Sequence, residues 1–186
     1  MIIVWSLDLQ YITIMEYPII KKVEEADVPD LIRIARSTFV HTYRHLNDPV
    51  HFDAYMNTAM SEEQLRDEVS DPNSLFYVLK SPADIIGYLK LNRKEAQTEA
   101  DMDDALEIER IYVIQSRKGE GLGARLIQKA KEVAVEEGCT MLWLGVWDQN
   151  HAAQGFYTRQ GFQPFGTHDF MMGSDRQTDI LMKLVL

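Results

Sequence analysis

Between Leu106 and Gly138 the spacing of apolar residues switches from every second position to every third or fourth, and nothing else in the chain constrains its fold more. Leu106 to Val113 (LEIERIYV) alternates as a strand does, with Glu107, Glu109 and Ile111 on one nominal face and Leu106, Ile108 and Arg110 on the other. Lys118-Gly119-Glu120-Gly121-Leu122-Gly123 follows. Leu122, Leu126, Ile127, Ala130, Val133 and Ala134 then form one stripe of a helix that Gly138 ends. A strand that passes through a glycine turn into an amphipathic helix needs neighbouring strands for the one and a sheet face for the other. The fold class is therefore α/β.

The glycines allow close approach of backbone to a ligand, and the first amides of a helix have no intrahelical partner. Two readings of this turn stand: a plain tight turn, or a cradle in which those amides and the helix dipole hold a pyrophosphate. Its spacing is G-x-G-x-G, not the dinucleotide fingerprint, and no Gly-Lys-Ser/Thr ends it. Hydride transfer and nucleotide hydrolysis lose support accordingly.

Around this unit, Pro18 to Val23 reads as a strand, and Asp27 with Pro29 opens a helix through Phe39 and Val40. Asn47-Asp48-Pro49 interrupts it, and a second helical region spans about Val50 to Val69 before Asp71-Pro72-Asn73. Leu75–Leu79 and Ile85–Leu91 are predicted as antiparallel strands, and Arg93 to Asp104 as a loop. Met141–Val146 reads as a buried strand, His151 to Gln160 as a short helix that Gly161 ends, and Phe162–Phe165 and Asp179–Leu186 as late strands. Hairpins before the glycine turn and a strand-helix-strand crossover after it predict a mixed sheet with helices on both faces.

At 186 residues, with no repeat and no Gly/Ser- or Pro-rich linker, the chain is expected to form a single domain over 18–186. Residues 1–17 are a leader of open structure, without Lys or Arg and interrupted by Asp8 and Glu16, so neither an export signal nor a membrane span is expected. The net charge of −10 repels phosphate backbones and anionic lipid, which excludes sequence-independent binding to nucleic acid or a membrane surface. The lone Cys139 excludes an intrachain disulfide and places the chain in a reducing, cytoplasmic setting. It sits after the helix-ending glycine as a small core residue, without a paired His to make it a nucleophile.

The run Asn150-His151-Ala152-Ala153-Gln154-Gly155-Phe156-Tyr157-Thr158-Arg159-Gln160-Gly161-Phe162 resembles the N-x-x-A-x-x-F-Y-x-x-x-G-F signature of the GNAT N-acetyltransferases. The glycine turn is similar to their acyl-CoA loop, Q/R-x-x-G-x-G/A, with Lys118 where Gln or Arg is usual. Because that loop acts through backbone amides, the departure puts little in doubt. Leu106–Tyr112, Trp143–Trp147 and Gln177–Asp179 are similar to the PaiA-type polyamine acetyltransferases within that family. The resemblance implies a GNAT α/β sandwich with splayed central strands, acetyl-CoA as co-substrate without a metal, and a cationic primary amine as acceptor. A peptide N-terminus, an aminoglycoside or an amino sugar would use the same machinery. A non-catalytic acetyl-CoA sensor would need neither an acid nor a base.

On this reading an alkylammonium must lose a proton before it attacks the thioester, and Glu107, ahead of Glu109, is the candidate base. Amides of Ile111, Tyr112 and Val113 would face the oxyanion. Tyr157 matches the family's acid near the sulfur. Lys118, Gly119, Glu120, Gly121, Leu122, Gly123 and Ala124 would hold the pyrophosphate, Asn150 the pantetheine and Arg159 the adenosine-side phosphate. Each glutamate has an alternative in binding the cationic substrate or pairing with Arg110, Tyr157 in packing, and Arg159 in solvent exposure. His41 and His45 have metal-ligand spacing but no third ligand, so no metal site is expected. Trp143 and Trp147 read as core, with one available to line a substrate tunnel. Glu99, Asp101, Asp103 and Asp104 form an acidic loop that would steer cations, or a solvated one. The apolar leader and Leu181–Leu186 are compatible with a homodimer edge.

Overall fold

The computed structural model describes residues 17–99, 102 and 104–186, so the leader (Tyr17 apart), Asp101 and Asp103 lie outside the described residues. Its strands are β1 (Ile19–Lys22), β2 (Ser74–Lys80), β3 (Ile85–Asn92), β4 (Ala105–Val113), β5 (Met141–Trp147), β6 (Gln163–Met172) and β7 (Asp175–Val185). Helices α1 (Val28–Tyr43), α2 (Pro49–Asn57) and α3 (Glu62–Ser70) precede β2, α4 (Leu122–Glu136) joins β4 to β5, and α5 (His151–Arg159) follows β5. The strands form one sheet in the order β1-β2-β3-β4-β5-β7-β6. Among the described residues only β4 and β5 pair in parallel, as their connection through a helix requires.

The stripe foreseen on α4 is the buried one: Leu126, Ile127 and Ala130 pack with Leu106, Ile108, Leu142, Leu144 and Phe162. On the other face Leu31, Ile34, Phe39, Phe52 and Met56 of α1 and α2 pack with Phe76, Val78 and Tyr88. The mixed, mostly antiparallel sheet with helices on both faces is as expected. So is the splay: β4 and β5 pair only at Ala105↔Met141, Leu106↔Leu142 and Glu107↔Trp143.

Three expectations need correction. The helical region over Val50–Val69 is two helices, because Ser61 accepts a hydrogen bond from the Gln64 amide and starts α3 afresh. The late strands are far longer than Phe162–Phe165 and Asp179–Leu186, forming a hairpin that turns at Gly173-Ser174. Its outer strand lies at a sheet edge and its tip is polar, with Arg176 pairing Asp169 at 2.5 Å, so the apolar alternation that marks a buried strand is missing there.

The third concerns which residues share a face of β4. A bulge between Lys90 and Leu91 aligns Lys90 with Arg110 and Leu91 with Ile108, leaving Glu109 as the extra residue. The alternation slips there. Ile111 joins Leu106 and Ile108 on the α4 side, while Arg110 turns with Glu107 and Glu109 towards α3.

Candidate active site

The diverging ends of β4 and β5 open a cavity of about 990 Å³. At one end the chain turns through Gly119 and Gly121, with φ of 86° and 76°, a backbone that favours glycine. Gly121 is the N-cap of α4 and supplies no side chain. The first helical bond, Arg125 N–H to the Gly121 carbonyl at 3.2 Å, leaves the amides of Leu122, Gly123 and Ala124 without intrahelical partners. Both observations suit an anionic group: a polar cradle that lacks its own cap, at the positive end of a fifteen-residue helix.

Along β4, the Ile114 amide donates to the Ile86 carbonyl of β3 at 2.9 Å. Antiparallel ladders alternate, so Tyr112, two residues back, also faces β3, while the amides of Ile111 and Val113 face the gap left by β5. The expected oxyanion donors are thereby narrowed to two. Asn150 and Tyr157 meet them from α5. Asn150 Oδ1 already caps that helix by accepting from the Ala153 amide at 3.2 Å, so a ligand contact falls to its Nδ2. Tyr157 stacks edge-on against Phe156 and Phe162, and burial pushes its phenol above the usual range. It keeps its proton at neutral pH.

The two glutamates of β4 have different surroundings. Glu109 is beside Arg110 and Lys90, its Oε1 2.9 Å from Arg110 Nη2. Both cations also hold Glu68 of α3, Arg110 bidentately at 2.6 and 3.1 Å and Lys90 at 2.9 Å. Burial pushes the Glu109 carboxyl up, but Arg110 and Lys90 more than offset it and hold it low. Glu107 is only 3% exposed and all its donors are neutral: Thr98 N at 3.0 Å, Thr98 Oγ1 at 2.6 Å and Asn92 Nδ2 at 3.2 Å. Burial, with Glu109 close by, pushes it up to about 7. A carboxyl that takes a proton near neutrality suits general acid–base work.

The other half of the cavity is aromatic. Tyr55 lies between Phe39 and Phe170, with ring centroids at 5.1 and 5.5 Å, and Tyr43 meets Trp147 edge-on at 6.3 Å. His168 of β6 also lines it, Nδ1 2.6 Å from Glu99 Oε1 and Nε2 3.7 Å from Asp179 Oδ2. The carboxylates of Asp179 and Glu99 outweigh burial and raise the imidazole to about 9. The hairpin tip closes this half by docking on the α1–α2 junction, where Gln177 Nε2 donates to Asn47 Oδ1 at 2.6 Å.

The cavity brings together Glu107, Glu109, Ile111, Tyr112, Val113, Lys118, Gly119, Gly121, Leu122, Gly123, Ala124, Asn150, Tyr157 and Arg159. Glu120 is the exception. It is exposed and pairs with Arg117 at 2.6 Å. Trp143 is fully buried, whereas Trp147 lines the cavity. Within the acidic loop Glu99 is taken up by His168. The sequence reading missed Thr98, His168 and the wall of Phe39, Tyr43, Tyr55 and Phe170. Phe39 and Tyr43 carried a signal in their i,i+4 spacing on the predicted helix, and His168 and Phe170 in their alternation on a strand that was read too short.

Residues 30–162 match the acetyltransferase (GNAT) family. Over 167 residues the chain is 41% identical to an uncharacterized N-acetyltransferase of Lactobacillus delbrueckii subsp. lactis, covering 90% of this chain and 96% of that one. It is 26% identical over 183 residues to the thialysine N-epsilon-acetyltransferase of Bos taurus (91% and 100% covered), and 24% identical over 159 residues to the spermidine N(1)-acetyltransferase of Thermoplasma acidophilum (82% and 94% covered). Among solved structures, the PaiA N-acetyltransferase of Thermoplasma acidophilum, crystallised with coenzyme A, superposes with a TM-score of 0.73 at 21% identity over 91% of this chain and 99% of that one.

Proposed function

The chain belongs to the acetyltransferase (GNAT) family and is an acetyl-CoA-dependent N-acetyltransferase, and from that premise we propose that its acceptor is a polyamine of the spermidine class, acetylated directly in the cytoplasm. The observation that carries the reading is the convergence on one cavity of uncapped helix-opening amides, the two turned-out amides of β4, and a carboxyl whose partners among the described residues, Thr98 and Asn92, are neutral. The aromatic wall supports a cationic acceptor, since ring faces attract an ammonium and pack against its methylenes. The spermidine and thialysine enzymes among the relatives are named for amine substrates.

Glu107, directly or through a water, takes the proton of the acceptor ammonium. The freed nitrogen attacks the acetyl carbonyl, and the amides of Ile111 and Val113 stabilise the negative charge that develops on its oxygen. As the carbon–sulfur bond breaks, Tyr157 gives its proton to the departing thiolate, the nitrogen loses its second proton to that phenolate through solvent, and the proton held by Glu107 passes to bulk water. The amides of Leu122–Ala124 with Lys118 hold the pyrophosphate, Asn150 the pantetheine arm, and Arg159 the outer phosphate. Glu109 does not compete as base, because Lys90 and Arg110 keep it ionised and engaged.

Incubation with acetyl-CoA and a panel of polyamines, monoamines, amino sugars and N-terminal peptides tests this, with thiol release and product mass as readouts. Thiol release that depends on spermidine or spermine is expected. Turnover of another acceptor alone would overturn the polyamine assignment, and tight acetyl-CoA binding without turnover on any amine would overturn the catalytic one.

A further inference from the structure

Three consecutive residues of the connection between β3 and β4 each hold a different strand. Gln97 Oε1 accepts from Trp143 Nε1 of β5 at 2.7 Å. Thr98 gives both its amide and its hydroxyl to Glu107 of β4. Glu99 holds His168 of β6. The connection is strapped across the point where β4 and β5 part. Thr98 is itself an exposed residue, so its contribution is not apolar burial but those two directed bonds. Asn92, the remaining donor to Glu107, divides its Nδ2 between Glu107 and Glu109.

We propose that Thr98 is a positioning residue for acetyl transfer: its paired amide and hydroxyl hold the Glu107 carboxylate in place and in the ionised form that accepts the amine's proton. The proposal rests on Glu107 being the base. A hydrogen bond donated to a carboxylate favours its ionised form, so the Thr98 hydroxyl opposes the burial that lifts Glu107. Among the described residues, the charged groups that face Glu107 from the surrounding elements are Lys90 on β3, Glu109 and Arg110 on β4, Glu68 on α3, Glu99 on the strap, and His168 and Asp179 on the hairpin. Lys90, Arg110, Glu68 and Glu109 bond to one another, and Glu99, His168 and Asp179 form a second group, so removing the Thr98 hydroxyl leaves both intact.

The test is the pH profile of kcat/KM, measured on the full chain with the amine that turns over best, for Thr98→Val and Thr98→Ser. Losing one charge-assisted hydrogen bond should move the acidic limb of the Val variant up by about one pH unit. At pH 6.5 that is roughly a tenfold loss of kcat/KM, shrinking to about twofold or less at pH 9, with acetyl-CoA Kd unchanged. The Ser variant, which keeps the hydroxyl, should retain the original limb. If the Val variant melts early, Thr98→Ala replaces it with the same expectation. A uniform loss at every pH, or an unmoved limb with Glu107→Gln inactive, overturns the proposal for Thr98 alone. A Glu107→Gln variant that keeps the original acidic limb overturns the assignment of the base, and the role of Thr98 with it.

Discussion

Replacing Glu107 by Gln should make this protein more stable and less active at once. In the fold the carboxyl is pushed up from 4.5 to about 7 by burial and by Glu109. Each unit corresponds to about 1.36 kcal/mol, so ionising it inside the fold costs about 3 kcal/mol relative to ionising it in the unfolded chain. The folded state keeps a proton that the unfolded chain releases between about pH 4.5 and 7. Native stability therefore falls as pH rises through that interval, while Gln does not titrate. The amide can also meet the same partners: its oxygen accepts from Thr98 N and Asn92 Nδ2, and its NH₂ donates to Thr98 Oγ1 once that hydroxyl turns to accept. Urea unfolding at pH 5 and pH 8 reads the difference directly. Near pH 5 the two proteins should differ little. At pH 8 the variant should be more stable by about 3 kcal/mol, or roughly 5–10 °C in Tm for a domain of this size. Its kcat at pH 8 should drop by about 10²- to 10⁴-fold, the scale of a lost general base. A variant no more stable than the parent at pH 8, or a difference that does not change with pH, would falsify the claim that this carboxyl is held against its ionisation.

Gly173 has φ of 62°, and a Cβ there would lie 2.7 Å from the His51 carbonyl oxygen and 3.0 Å from its Cα, so Gly173→Ala should lift the hairpin tip from α2. A loss of about 2 kcal/mol in urea unfolding is expected, with a raised KM for the amine and an unchanged acetyl-CoA Kd. His168 is raised from 6.5 to about 9, chiefly by Asp179 and Glu99, so its stabilisation is full below pH 6.5 and disappears as pH rises through 9. His168→Gln should accordingly cost about 2 kcal/mol at pH 6 and close to nothing at pH 10; a pH-independent cost would rule out the ion-pair account. Tyr157→Phe should retain acetyl-CoA affinity while kcat falls about 10²-fold, and an unchanged kcat would remove that phenol from the chemistry.

Much of the fold was legible because it is written locally. The period switch after Val113, the stripe of α4 and the breakers at Asn47–Pro49 and Asp71–Asn73 each occupy one short window, and each places its element correctly. The residues expected to hold the cofactor were legible as one end of the cavity for the same reason. A glycine turn, a helix N-terminus and the run from Asn150 to Phe162 are contiguous, and their chemistry lies in backbone amides that any strand-turn-helix unit presents. The hairpin was not legible, since an edge strand with a polar tip has no apolar face to show.

The sequence alone therefore determined the α/β sandwich, its crossover through α4, and a pair of glutamates on β4, with Glu107 preferred on the family resemblance. Only the tertiary structure set their surroundings apart. The bulge at Glu109 turns Arg110 to the side of the glutamates, and Arg110 with Lys90 ties Glu109 to Glu68. Thr98 and Asn92 meanwhile hold Glu107 without a countercharge. A carboxyl's charge state depends on burial and on the groups within a few ångströms, and those groups come from α3, β3 and the strap, up to about forty residues away along the chain. Periodicity reports which face a side chain takes, but what waits for it on that face is settled only when the elements pack.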